Sequence, residues 1–258
     1  MQKKKFWVIF LTFIVFLAGA VLGVANVYRV DDVVVKFDYV SELSEKEAQE
    51  LTKGLEKAYK GQSTLFVENT EAKKLLKDFP YFRMTSFSTK QPNKVIVKVV
   101  EDEEIYAVQK QDGSFYILGA NGVVLGERAT SDNRSDGGTN VRLTGFSVSG
   151  KKGEKLSGQG VETAISFLNV LSGKFGGVRN NILQAEWQAP ATSATFLTLQ
   201  TVEGVKLVIE NPDALLTEKA ERLAAYYLSL ADGARITGEV WVAGASAEEI
   251  RVEYVKNP

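Results

Sequence analysis

Histidine and cysteine are both absent from the 258 residues of this chain. Their absence excludes a Ser-His-Asp triad, a cysteine nucleophile and a zinc site made of Cys and His side chains. Disulfides are excluded as well, so the fold must be stabilised by hydrophobic cores of its own. Acid–base catalysis of any kind would have to use carboxylates, Lys or Tyr.

Charge is nearly balanced overall, but it is distributed unevenly. Lys3, Lys4 and Lys5 are the only charged residues before Arg29. From Arg29 onward there are 28 basic residues, 31 less those three, against 32 acidic ones, which gives a net charge of −4. Apolar residues make up 45% of the chain and charged residues 24%, as in ordinary globular proteins. A mildly acidic body does not suit DNA or RNA, so no nucleic-acid partner is expected.

One long apolar run follows the N-terminal lysines. The 23 residues from Phe6 to Tyr28 carry no charge, and about 20 helical residues cross the hydrocarbon core of a bilayer. Segment 6–28 is therefore predicted to be a transmembrane helix after a cytoplasmic tail at 1–5. Lys3, Lys4 and Lys5 would set an N-inside orientation, because lysines beside a span stay on the cytoplasmic side. The alternative is a cleaved signal peptide, although this run exceeds the roughly 7–15 apolar residues of one.

Residues 29–101 have the pattern of a small α+β module. Alternating apolar residues predict a strand at 33–39, and Ser44 with Glu47 matches a capping box at the start of a helix. A second helix is predicted at 70–78, followed by strands at 82–89 and 95–100 on either side of a Pro-Asn turn. The order strand–helix–helix–strand–strand predicts a two-layer domain.

Residues 102–258 consist of short apolar runs separated by Gly-containing turns. Hairpin strands are predicted within 105–125, and the polar stretches at 127–140 and 145–158 are predicted to be loops, the first of them mobile. The following elements are a helix at 161–171, three strands between 182 and 209, a helix at 213–230 and strands at 236–242 and 250–255. The fold class is therefore predicted to be α+β, with two helices packed on an extended, mostly antiparallel sheet.

Three polar groups invite a functional interpretation. The acidic run 101–104 offers oxygen ligands for a cation, but neighbouring strand residues alternate sides, so a solvated strand end is favoured. Ser-x-x-Lys at 149–152 and Ser-Asp-Asn at 131–133 occur in the reverse of the order found in penicillin-recognising enzymes, which favours coincidence. Lys219 and Arg222 lie one turn apart on the last helix, where a solvated helix face is favoured over a basic patch.

The last two predicted strands raise the question of a partner. A strand at the end of a chain often lies at a sheet edge, and an open edge accepts a partner strand through main-chain hydrogen bonds. The alternative is that Glu239 or the following strand protects this edge. On sequence physics the two are about equally supported. The candidate edge residues are Ile236, Thr237, Glu239, Val240, Trp241 and Val242.

Several segments carry a family resemblance that covers nearly the whole chain. In the first module they are Phe79-Pro80-Tyr81-Phe82, the turn at 91–93 and the alternating strand at 95–101. In the second module they are 116–125, 204–209 and the helix with Lys219 and Leu223. Within 116–125, Gly119 stands in place of a usual Asp. Together these segments resemble the FtsQ/DivIB family of bacterial cell-division proteins. The acidic run 101–104 departs from the Glu-Arg-x-Pro often seen there.

The resemblance implies a polypeptide-transport-associated (POTRA) domain at 29–101 and a β domain at 102–258. It implies a non-enzymatic divisome scaffold, held in the cell membrane by one helix, with its bulk outside the cytoplasm and enriched at the septum. The implied partners are FtsL-like and FtsB/DivIC-like bitopic proteins, with 236–242 accepting a partner strand. It implies no catalytic residue, metal, cofactor or small-molecule substrate.

Two other functions are weighed against this one. A membrane-anchored cell-wall hydrolase would need two carboxyl groups about 5–9.5 Å apart in a cleft. A POTRA-containing secretion or assembly factor would need repeated modules or a membrane barrel, for which the chain is too short.

Overall fold

The computed structural model describes residues 2–190 and 194–256, without the side chains of residues 2–6, 8, 9, 18, 20–22, 24, 25 and 232. The chain divides into two compact units, 1–101 and 102–258. This division falls where the texture of the sequence changes. The described residues form five α-helices, a three-stranded sheet, a two-stranded sheet and one large mixed sheet, so the predicted α+β class is confirmed.

The first unit contains a three-stranded sheet of order β1–β3–β2. Strands β1 and β3 are parallel, as expected when two helices separate them, and β2 pairs with β3 in antiparallel fashion. This is the predicted strand–helix–helix–strand–strand order. Its elements are α1 (Gln2–Val27), β1 (Asp32–Phe37), α2 (Glu45–Tyr59), α3 (Thr70–Leu76), β2 (Phe82–Lys90) and β3 (Lys94–Glu101).

The core of the first unit lies between α2 and the sheet. Leu51, Leu55 and Tyr59 recur every four residues and are fully buried, as are the alternate valines of β3. The Tyr59 hydroxyl donates to the carbonyl of Glu68 at 3.0 Å and accepts from the amide of Ala72 at 2.8 Å. One buried phenol therefore ties α2 to α3.

The predicted capping box at Ser44 and Glu47 is wrong. The Ser44 hydroxyl makes no capping bond; it donates to the Glu101 carboxylate at 2.5 Å. The amide and hydroxyl of Ser41 donate to the same carboxylate at 2.7 and 2.8 Å. An ionised carboxylate is a stronger acceptor than a neutral group, so Glu101 is not the solvated residue that was expected.

Helix α1 covers most of the predicted membrane segment. Among residues whose side chains are described, no helix combines the length and the apolar character that crossing a bilayer requires. The span at 6–28 therefore gains no support from this finding and stays a prediction. The side chains of Lys3, Lys4 and Lys5, which carry the predicted orientation, lie outside the described part of the chain.

The second unit is built on a nine-stranded sheet of order β14–β13–β12–β11–β10–β7–β4–β5–β6. Five neighbouring pairs are antiparallel and three, β4–β7, β7–β10 and β12–β13, are parallel. The elements are β4 (Tyr106–Gln109), β5 (Phe115–Leu118), β6 (Val124–Arg128), β7 (Val141–Thr144), β8 (Val148–Ser149), β9 (Ser157–Gly158), α4 (Val161–Phe175), β10 (Ile182–Gln188), β11 (Phe196–Thr201), β12 (Lys206–Glu210), α5 (Leu216–Ser229), β13 (Glu239–Ala243) and β14 (Arg251–Val255).

Both helices of the second unit contribute to one core with the sheet. Phe167, Leu168 and Leu171 of α4 and Leu223 of α5 are fully buried together with alternate residues of the strands. The second predicted loop, 145–158, contains the short hairpin of β8 and β9.

Glu104 of the acidic run and the loop at 127–140 form one structure, so the solvated strand end predicted for 101–104 is wrong at Glu104. Glu104 is 1% exposed, and its carboxylate accepts two bonds from the Arg128 guanidinium and one from the Arg134 amide at 3.0 Å. The buried Asn133 side chain donates to the Glu104 carbonyl and to Asn140, both at 2.9 Å. A solvated strand end and a mobile loop were expected because the basic partners of Glu104 lie more than 20 residues away in sequence.

Candidate partner-binding edge

The predicted edge strand is an interior strand. Strand β13 pairs with β12 on one side, in parallel, and with β14 on the other, in antiparallel fashion. Glu239, Val240, Trp241 and Val242 all lie within it, so their main-chain groups are used inside the sheet. The prediction that a partner strand adds to 236–242 is therefore wrong.

The six candidate residues are divided among three environments. Ile236 and Thr237 precede the strand; Ile236 is exposed, and the carbonyl of Thr237 accepts from the Tyr254 hydroxyl at 2.8 Å. Val240 and Val242 are fully buried in the core. Glu239 and Trp241 lie on the opposite face, where the indole N–H donates to the Glu239 carboxylate at 2.9 Å.

Strand β14 is an edge of the sheet. The sequence-based prediction had placed this edge one strand earlier, at β13. Strand β14 follows β13 in the sheet order and ends that order. Within residues 2–190 and 194–256, the outer side of β14 receives no backbone hydrogen bond. A row of main-chain donors and acceptors is thus open at this end of the sheet.

Strand alternation identifies the residues that offer these groups. The Lys206 amide donates to the Gly238 carbonyl, so the parallel ladder takes up the main-chain groups of every second residue from Gly238 onward. Glu239 and Trp241 then direct their main-chain groups toward β14, onto Val255 and Glu253 in the antiparallel register. The main-chain groups of Val252 and Tyr254 consequently point outward.

Two of the other edge strands, β6 and β2, are less suitable for pairing. The outer side of β6 is partly occupied, because Val124 bonds to Glu154 and Gly153 through backbone groups at 2.9 and 2.8 Å. Strand β2 of the first unit carries a register shift between Met84 and Ser86, and a bulge discourages edge pairing. Strand β14 pairs with β13 without any shift.

Two basic side chains of α5 bind the end of β12 and the segment that precedes β14. Lys219 is fully buried and donates to the carbonyls of Glu210 and Asn211 at 2.7 and 2.9 Å; burial lowers the pKa of its ammonium. Arg222 donates to the carbonyls of Ile250 and Ala247 at 3.0 and 2.9 Å, directly before β14. The solvated helix face expected for this pair is therefore wrong for Lys219, whereas Arg222 is exposed.

Gly238 allows β13 and β14 to close on each other. It has a φ of +93°, and a Cβ there would lie 2.7 Å from the carbonyl oxygen of Val255. A side chain at this position would strain the backbone and collide with the end of β14.

An open depression lies on the sheet face over β10, β11, β12 and β13. Its volume is about 500 Å³. Phe196 and Trp241 meet edge to face in it, with ring centroids 6.2 Å apart. Trp241 lies one strand and Phe196 three strands from β14, so β14 separates both rings from the position that an added strand would occupy. Polar residues complete the lining: Gln184, Glu186, Gln188, Thr198, Gln200, Lys206 and Glu239.

The groups that the β14 edge offers to a partner are main-chain amides and carbonyls. Across the described ranges, no group of three or more acidic side chains is placed to hold a metal ion. No protein-family model matches the chain, and no curated protein is similar to it at a significant level.

Proposed function

We propose that this chain is a membrane-anchored binding protein that takes a partner strand onto the outer edge of β14. The proposal rests chiefly on one observation, the regular and uncovered edge at Val252 and Tyr254. On the family resemblance, the chain is a scaffold of the FtsQ/DivIB type, and its partners are FtsL-like and FtsB/DivIC-like proteins. It would act at the division septum to stabilise or regulate septal peptidoglycan synthesis, without chemistry of its own.

The anchor is supported by the N-terminal helix. Residues 6–28 are uncharged, and one helix runs through them to Val27. Trp7, Leu11, Phe13 and Phe16 in this helix are each more than half exposed. A continuous exposed apolar surface of this kind requires a lipid or protein environment. With Lys3–Lys5 inside, residues 29–258 would lie outside the cytoplasm.

The POTRA assignment is supported by topology. In the first unit, two helices follow β1 and are followed by the hairpin of β2 and β3. Strand β3 pairs with β1 in parallel and with β2 in antiparallel fashion. This is the arrangement that the resemblance implies for 29–101. The β domain would be residues 102–258, with the partner edge at its last strand.

The free energy of main-chain hydrogen bonds alone is too small for a stable complex at β14, so side-chain contacts must contribute. The outward N–H and C=O groups of Val252 and Tyr254 allow four hydrogen bonds, each with a net contribution of about 0.5–1.5 kcal/mol. Their sum, about 2–6 kcal/mol, falls short of the roughly 8 kcal/mol of a micromolar complex. The remaining free energy would have to come from side chains of the partner that pack against the exposed side chains of β14.

Two proline substitutions in β14 test the edge. Val252→Pro removes an outward donor and keeps the ladder to β13, so we expect it to abolish pull-down of the FtsL-like and FtsB/DivIC-like extracytoplasmic segments and to leave the fold intact. Glu253→Pro removes a donor that faces β13, so we expect loss of stability as well as of binding. Pull-down by the well-folded V252P protein at the wild-type level would refute strand addition at β14.

Imaging tests the proposed place of action. A fluorescent fusion of the full chain should form a band at midcell in dividing cells. Even staining of the whole periphery would refute the division role and leave the β14 edge to be judged by the pull-down.

A further inference from the structure

Two apolar side chains protrude from a turn of the first unit. Leu65 is 46% exposed and Phe66 is 83% exposed. They lie in the connection between α2 and α3, where neighbouring apolar residues such as Val67 pack against the core. Exposed adjacent apolar residues on a well-folded domain often mark a contact surface.

The turn that presents them is held by hydrogen bonds. The amides of Phe66 and Val67 both donate to the Ser63 carbonyl, at 3.1 and 3.0 Å. Thr64 is 4% exposed, and its hydroxyl donates to the Pro92 carbonyl at 2.5 Å. Because the backbone is fixed in this way, Leu65 and Phe66 can bind without the cost of ordering the main chain.

The same turn is bonded to the chain just after α1. The Thr64 amide donates to the Tyr28 carbonyl at 2.7 Å, and the Val30 amide donates to the Gln62 carbonyl at 2.8 Å. Tyr28 is the residue that follows the end of α1. The turn is therefore held against the point where the proposed anchor leaves the bilayer.

Distances place Phe66 within reach of lipid. Consecutive Cα atoms are about 3.8 Å apart, so Phe66 lies at most about 8 Å from Thr64. The polar region of a bilayer adds about 5–8 Å on each side of the roughly 30 Å hydrocarbon core. A side chain this close to the end of the anchor helix can thus enter the interface between headgroups and acyl chains.

We propose that Leu65 and Phe66 insert into the phospholipid interface and form a second contact of the first unit with the membrane. This inference rests on the proposed anchor. Exposed Arg29 and Lys60 flank the turn, with Asp31 and Glu68 also exposed nearby, so the contact is apolar and does not depend on anionic lipid. It would fix the orientation of the unit, because a helix and a separate turn would both be held at the surface.

The absence of cysteine makes the test direct. Phe66→Cys, Phe13→Cys and Tyr39→Cys, each in the full chain, would carry one environment-sensitive fluorophore. The proteins would be reconstituted into phosphatidylcholine vesicles that contain lipid with a nitroxide near the headgroup. Phe13 reports the anchor helix. Tyr39 is 69% exposed and follows the far end of β1, about 17 Å or more from the turn, so it serves as the matched control.

We expect quenching at positions 13 and 66 and none at 39. Quenching at 13 with a water-exposed label at 66 would overturn the inference and leave the anchor standing. An unquenched label at 13 would overturn both. An unquenched label at 66, together with rapid disulfide formation between two F66C chains, would assign the turn to contact with a second copy.

Discussion

Replacement of Glu104 by alanine tests whether the acidic run is a structural centre. Glu104 is 1% exposed, and its carboxylate binds the guanidinium of Arg128 and the amide of Arg134. Its neighbour Glu103 is exposed and belongs to the same run of four acids. The two residues have the same chemistry and adjacent positions, so Glu103→Ala is a closely matched control.

The expected magnitude follows from burial. Removal of one partner from a buried ion pair costs about 3–5 kcal/mol because the other charge is left behind. The side chains of Arg128 and Arg134 remain 29% and 17% exposed, and water would screen part of that charge, which lowers the estimate to about 2–4 kcal/mol. In a unit of this size the loss corresponds to a melting temperature lower by about 5–12 °C. Glu103→Ala should change the free energy of unfolding by less than about 0.5 kcal/mol.

Tryptophan emission provides a probe of the second unit. Trp187 and Trp241 belong to residues 102–258 and Trp7 lies in α1, so a Trp7→Phe background removes the signal of the first unit. Thermal unfolding in that background would compare the two alanine variants. Equal melting temperatures for E104A and E103A would refute the argument that the Glu104 network stabilises the second unit.

Two further substitutions test buried polar groups of α5. Lys219→Met leaves two carbonyls without their donor and should lower the free energy of unfolding by about 1–3 kcal/mol. The control Lys206→Met, at an exposed position of β12, should change this free energy little. Equal effects of the two substitutions in urea unfolding would contradict the role given to Lys219. Burial raises the pKa of Tyr227 to about 12, above the 10 of an unfolded chain. The stability that this phenol contributes is complete below pH 10 and lost as pH rises to 12. Tyr227→Phe should therefore flatten the fall in urea midpoint over that range, and parallel curves would contradict it.

Local patterns predicted the elements because each pattern depends on nearby residues. The stripe at Leu51, Leu55 and Tyr59 indicated α2, and the alternation of valines indicated β3. The polar predictions failed for a different reason. Ser44 binds Glu101, and Glu104 binds Arg128, across separations of 57 and 24 residues. No periodicity marks such pairs, so a buried carboxylate and a solvated one look alike in sequence.

The position of the partner edge depends on the order of strands in the sheet. Part of that order could be derived from the sequence of predicted elements. A strand, a helix and a second strand in succession normally form a parallel crossover, and β12, α5 and β13 follow each other in that way. β13 is then placed beside β12, and β14, reached by a short connection, adds antiparallel to its free side. The last strand becomes the edge because no later described strand covers it. A chain-terminal edge was therefore a sound expectation, and the crossover rule would have assigned it to β14 instead of to Trp241 and its neighbours.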